Sequence, residues 1–206
     1  MFQIPNTITV LRILLVPVFA VAFVLPGDGW RLIAFAVFTI AGLSDFLDGL
    51  LARALNQPSD FGRMLDPIAD KILVGVALMM LVAEGSVSQF REFNQLPGLL
   101  SLLKLVPALI ILAREILISG LREFLAGVRV SVPVSSIAKF KTAVQMVAIG
   151  AMILTPLADR FLPGIPAVTY NTIAYGLLWI AAGLTVITGY AYFRAGIAYT
   201  SKNRAS

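Results

Sequence analysis

The sequence predicts an all-α integral membrane bundle of six transmembrane helices with both termini cytoplasmic, and three observations predict it. The 206 residues are 59% hydrophobic and only 13% charged, with a mean hydropathy of +0.91, too apolar for a soluble domain of this size. The apolar segments are separated by turns and short loops, none a polar linker long enough to divide two domains, so residues 1–206 read as a single transmembrane domain. Counted by alternate sides, Lys and Arg divide unevenly. One side holds Arg12, Arg53, Arg63, Lys71, Arg114, Arg122, Arg129, Lys139, Lys141, Arg194, Lys202 and Arg204, and the other Arg31, Arg91, Lys104 and Arg160. The positive-inside rule assigns the richer side to the cytoplasm.

In order, the first helix is expected from about Thr7 to Leu25, with Asn6 or Thr7 as N-cap and a polar face of Asn6, Thr9 and Arg12 at its start. Residues 1–6 lack the charge of a signal-peptide n-region, so this helix is expected to be retained. The second is expected over Trp30 to Leu55, a polar turn with Pro58 over Asn56 to Phe61, and the third over Met64 to Ala83. A polar connection, Glu84 to Leu96, has room for an interfacial segment at Phe90 to Phe93. The fourth helix is expected over Pro97 to Leu125 and carries Arg114, Glu115, Arg122 and Glu123. Gly127 to Ser135 reads as a loop. The fifth helix begins near Ser136 with Lys139 and Lys141 and ends near Leu157, a Pro/Gly loop follows, and the sixth runs from Tyr170 to Phe193 before a polar, basic tail.

The chemistry concentrates between Asp45 and Asp70. At helical spacing Asp45, Asp48, Gly49 and Ala52 share one face of the second helix, while Asp66 and Asp70 share a face of the third. Four carboxylates converging between apolar segments cannot stay ionised without cations, and an oxygen-only donor set suits two hard divalent ions, Mg2+ or Mn2+. Gly49 and Ala52 remove bulk beside the acids, and Arg53 supplies a fork for phosphate. The pattern therefore fits a nucleotide diphosphate. With no cysteine and no histidine in the chain, thiol nucleophiles, imidazole bases and the usual zinc ligands are excluded, so a general base must be a carboxylate, a lysine or a tyrosine.

A second polar cluster lies further on. Arg114, Ile118 and Arg122 recur every fourth residue, which puts two guanidinium groups on one stripe; Glu115 and Glu123 are either their structural counter-ions or occupied separately, and the i, i+1 spacing favours separate roles. Lys139 and Lys141, two apart, cannot both face one way on a regular helix. Arg12 is either a headgroup anchor or a ligand.

The spacing D-x2-D-G-x2-A-R-x8-G-x3-D-x3-D, met by Asp45, Asp48, Gly49, Ala52, Arg53, Gly62, Asp66 and Asp70, resembles the signature of the CDP-alcohol phosphotransferases. The opening N-T-I-T-x-x-R resembles the family's first helix. What the resemblance implies is a phosphatidyl transfer from a CDP-linked lipid to an alcohol, with release of CMP. Asp45, Asp48 and Asp66 would be metal ligands and Asp70 the base and a further ligand. Asn6, Thr9, Arg12, Gly49, Ala52, Arg53 and Gly62 would line the CDP-lipid site.

The runs R-E-I-L-I-S-G-L-R-E-F-L and K-F-K-T-x-x-Q are similar to those of bacterial members that use glycerol 3-phosphate, and Arg114, Arg122, Lys139 and Lys141 would bind that acceptor's phosphate. The implied partners are CDP-diacylglycerol, glycerol 3-phosphate and membrane lipids, with no nucleic acid and with room for a homodimer. The implied location is the bacterial cytoplasmic (inner) membrane, with the site open to the cytoplasm. Two alternatives remain at this level: another acceptor, such as inositol phosphate or serine, or a cation or proton transporter that uses the buried aspartates.

Overall fold

The computed structural model describes the backbone of residues 4–55, 60–85, 98–128, 130 and 136–204, and the side chains of residues 8–44, 65, 68, 69, 71–85, 105–128, 130, 137 and 140–201. Every regular element among them is helical. Six long helices, α1 (Ile4–Val24), α2 (Asp28–Leu55), α3 (Asp60–Glu84), α4 (Gly98–Gly127), α5 (Ser136–Leu154) and α7 (Ala167–Arg204), form a bundle, and a 3-10 turn (Thr155–Leu157) leads into a one-turn helix, α6 (Ala158–Phe161).

The boundaries depart from the sequence expectation at several places. Helix α1 already includes Pro5, Asn6 and Thr7, so neither Asn6 nor Thr7 is its cap; Pro5 is tolerated because N–H groups of a first turn have no helical partner to lose. Helix α3 starts at Asp60, four residues before the expected start. Helix α5 stops at Leu154, where Pro156 tightens the chain into the 3-10 turn, and α6 occupies part of the expected loop. Helix α7 continues to Arg204 instead of ending in a tail at Phe193. Its last turns rest on α4: Phe124 meets Tyr199 edge-on with centroids 6.0 Å apart, and Leu121 lies against Gly196. The possible segment at Phe90 to Phe93 lies outside the described residues.

One apolar core runs through the bundle, from Phe19 and Phe38 through Leu73, Leu78 and Leu81 to Ile149, Met152 and Leu178, all fully buried. Large apolar side chains also point outward, among them Leu14, Val24, Ile40, Met79, Leu117, Val147 and Ile187. Among the described residues, 140–161 and 167–201 are long and apolar enough to cross a membrane, and 8–24 forms a shorter apolar helix.

Long-range contacts fix which residues are level with which. Helices α2 and α3 turn back between Leu55 and Asp60, and at their other ends Arg31 Nη2 meets Glu84 Oε2 at 2.5 Å. An antiparallel pair pinned at both places sets Asp45 opposite Asp70, and Asp48 opposite 67, one position from Asp66. Helix α1 is antiparallel to α2 through Arg12–Ser44 and Phe19–Phe38. Helix α5 is antiparallel to α2: the Met146 side chain occupies the space a Cβ on Gly42 would need, and the Phe35 ring packs closely against Gly150. That register puts Lys141 to Ala143 level with Asp45, and Lys139 level with Asp48.

Candidate active site

The aspartates lie at the end of the bundle where α2 stops and α3 begins. Asp45, Asp48, Gly49, Ala52 and Arg53 occupy the last three turns of α2, and Gly62, Asp66 and Asp70 the first three of α3. Their side chains are outside the described set, as are those of Asn6 and Lys139. The backbone register alone brings four carboxylate-bearing positions to two adjacent levels of neighbouring helices. That placement and the all-oxygen donor set fit divalent cations.

Helix α1 supplies one wall. Arg12 is 1% exposed, and its Nε donates to Ser44 Oγ at 3.1 Å; that hydroxyl in turn donates to the Ala41 carbonyl at 2.7 Å. Ser44 directly precedes Asp45, so Arg12 is held at the level of the first aspartate and is no headgroup anchor. Thr9, three residues earlier and 1% exposed, falls at the level of Asp48.

The opposite wall is polar as well. Lys141 of α5, 5% exposed, forms an ion pair with Glu115 Oε1 of α4. The same carboxylate lies 3.5 Å from Arg114 Nη1. Arg114 also donates from Nε to the Thr185 carbonyl at 3.2 Å and from Nη2 to Thr188 Oγ1 at 3.1 Å, both on α7. The i, i+1 spacing of Arg114 and Glu115 favoured separate roles, and the structure corrects this: Glu115 is partner to Arg114 of its own helix and to Lys141 of α5 together, because their long side chains reach one point that backbone directions alone keep apart. Arg122 is exposed, has no ion pair or hydrogen bond among the described residues, and lies about 12 Å further along the α4 axis. Glu123 is exposed and forms no pair with it among the described residues, so it is not its counter-ion.

Of the sequence candidates, then, Thr9, Arg12 and Lys141 are buried at the level of the aspartates. Arg114 joins them through Glu115, and Arg122 stands outside that network. Ser44, Glu115, Gln145, Thr185 and Thr188 complete the polar surroundings without having been assigned a site role from sequence. Ser44 and Gln145 had a visible signal, one adjoining Asp45 and one falling four residues after Lys141; the threonines of α7 had none.

The fold and this site define a class. A family model described as CDP-alcohol phosphatidyltransferase matches residues 2–187, and the chain belongs to that family. Individual relatives are more specific. The chain is 42% identical over 193 residues to the CDP-diacylglycerol--glycerol-3-phosphate 3-phosphatidyltransferase of Rickettsia bellii (strain RML369-C), covering 94% of each. It is 39% identical over 196 residues to the protein of the same name from Pseudomonas fluorescens, covering 94% of this chain and 89% of the other. The one from Cereibacter sphaeroides is 36% identical over 231 residues, covering 96% and 97%.

Proposed function

We propose that the chain transfers the phosphatidyl group of CDP-diacylglycerol to glycerol 3-phosphate, giving phosphatidylglycerophosphate and CMP. The observation that carries this reading is the register that levels the four aspartates with Thr9 and Arg12 on one side and with Lys139 and Lys141 on the other. An anionic donor and an anionic acceptor then meet beside cationic side chains on both walls. The names and coverage of the relatives support the same reaction.

Asp45, Asp48 and Asp66, with Asp70, would hold two divalent cations, which when bound neutralise the pyrophosphate and the charge that develops on it. Asn6, Thr9 and Arg12, with Gly49, Ala52, Arg53 and Gly62, bind the CDP-lipid. Lys139, Lys141, Arg114 and Arg122 draw in the acceptor phosphate and orient its primary hydroxyl. Asp70 takes that hydroxyl's proton, since in a chain without histidine a carboxylate is the base at hand. Residues 1–206 act as one transmembrane domain. Its six long helices cross the cytoplasmic membrane of a bacterium with the aspartate end inside; outward-facing apolar side chains and the distribution of Lys and Arg support this.

The test is CMP release from CDP-diacylglycerol against a panel of alcohols. Turnover is expected with glycerol 3-phosphate, dependent on Mg2+ or Mn2+ and abolished by chelation. Full turnover after exhaustive chelation, or equal use of uncharged alcohols, overturns it.

A further inference from the structure

We propose that Gln145 is a specificity-determining residue of the acceptor site, its side-chain amide accepting a hydrogen bond from the hydroxyl of the acceptor that does not react. The proposal rests on the function above. Gln145 is 3% exposed, and its Oε1 has no hydrogen-bond partner among the described residues. An unpaired buried amide oxygen costs about 1–3 kcal/mol, so folding alone does not account for a glutamine there.

Its place gives the unpaired atom a use. Gln145 lies one turn from Lys141 on the buried face of α5, the face that continues through Ala148, Ile149 and Met152. Side chains four apart on a helix are neighbours at about 6 Å, a span comparable to that between the phosphate and the secondary hydroxyl of a glycerol phosphate. With the phosphate beside Lys141, the carbon chain extends along α5 towards Gln145. The register with α2 puts Lys141 at the Asp45 level and Gln145 next to the Gly42 level, one turn deeper in the bundle, so an acceptor whose phosphate lies beside Lys141 starts at the aspartates and turns its unreactive hydroxyl inward. The other unpaired buried side chains fit less well. Asn171 lies at the far end of the bundle beside Tyr170, whose hydroxyl donates to the Ala151 carbonyl. Thr185 is on α7, where its carbonyl already receives Arg114.

The two roles open to Gln145 predict opposite results for one substitution. Gln145→Met keeps the volume and removes the unpaired amide, so the fold is expected to keep or raise its melting temperature. The acceptors to compare are glycerol 3-phosphate and 3-hydroxypropyl phosphate, which lacks the secondary hydroxyl, each with CDP-diacylglycerol and the full chain in lipid nanodiscs. Wild type is expected to favour glycerol 3-phosphate about tenfold in kcat/KM. Gln145→Met should lose most of that preference, keep kcat/KM for 3-hydroxypropyl phosphate within about twofold, and leave the KM for CDP-diacylglycerol unchanged. Gln145→Asn, which keeps an amide but shortens its reach, should lose the preference too, and it decides the matter if the Met variant does not fold. A folded variant that retains the preference, or one that loses both acceptors equally, overturns the assignment of Gln145 and leaves the reaction intact. A wild-type enzyme that turns over neither phosphate acceptor overturns the functional reading, and this assignment with it.

Discussion

At the end of the bundle far from the aspartates, Arg31 donates from Nε to the Ile153 carbonyl at 2.7 Å, pairs with Glu84 at 2.5 Å, and lies 3.9 Å above the Phe23 ring. One side chain thereby ties α1, α2, α3 and α5 together within the chain itself. At the aspartate end Arg114, Glu115 and Lys141 form a network of similar size, and Arg122, two turns further along α4, stands exposed without an ion pair or hydrogen bond among the described residues; unpaired buried oxygens occur at both ends, on Gln145 and Thr185 here and on Asn171 there. Both clusters have charges largely out of water. A knot that is closed on itself stabilises the fold, whereas the exposed guanidinium of Arg122 beside the second network is left available to an anion.

The largest expected effect separates the two ends outright. Asp45→Asn, Asp48→Asn and Asp66→Asn each remove a charged donor from the proposed cation site. They are expected to lower CMP release by about a thousandfold, several kcal/mol of transition-state stabilisation, with the melting temperature unchanged or raised. A parallel loss of folding in all three would make these acids structural and dissolve the contrast.

Next comes Arg31→Met. Breaking a buried pair costs about 3–5 kcal/mol, and because the Glu84 side chain remains 34% exposed, a loss of about 1–3 kcal/mol is expected. It should appear in thermal unfolding, with the KM of both substrates unchanged in the folded protein. A selective rise in acceptor KM would show that the far end also serves the site.

Arg122→Ala tests the open end. It is expected to raise the acceptor KM about tenfold, equivalent to about 1.4 kcal/mol, leaving stability and the KM for CDP-diacylglycerol as they were. Arg122→Lys should rescue only in part, since a point charge does not reproduce a bidentate fork. Arg114→Ala, by contrast, should affect stability and acceptor KM together, because its guanidinium also holds α7. The smallest effect belongs to Asp28→Ala, which removes the exposed ion pair with Arg160. A few tenths of a kcal/mol in stability and no kinetic change are expected, measured at low and high salt.

The sequence by itself determined the number of long helices, their order and the residues of the aspartate motif. These follow from apolar runs and from spacing within single helices, where three and four residues return to the same face whatever surrounds them. It misjudged α7, whose polar last turns look like a tail until Gly196 and Tyr199 are seen against Leu121 and Phe124 of α4. It also kept Arg12 ambiguous, since an arginine at the edge of a polar face reads equally as an anchor or as a ligand. Only the tertiary structure decided that Arg12 is buried against Ser44, that Glu115 joins Lys141 to Arg114, and that Gln145 is left unpaired among the described residues. The physical reason is the range of the interactions: levels between helices are set by contacts such as Arg31–Glu84 and Gly42–Met146, between residues dozens of positions apart, and no local period encodes which of these are made.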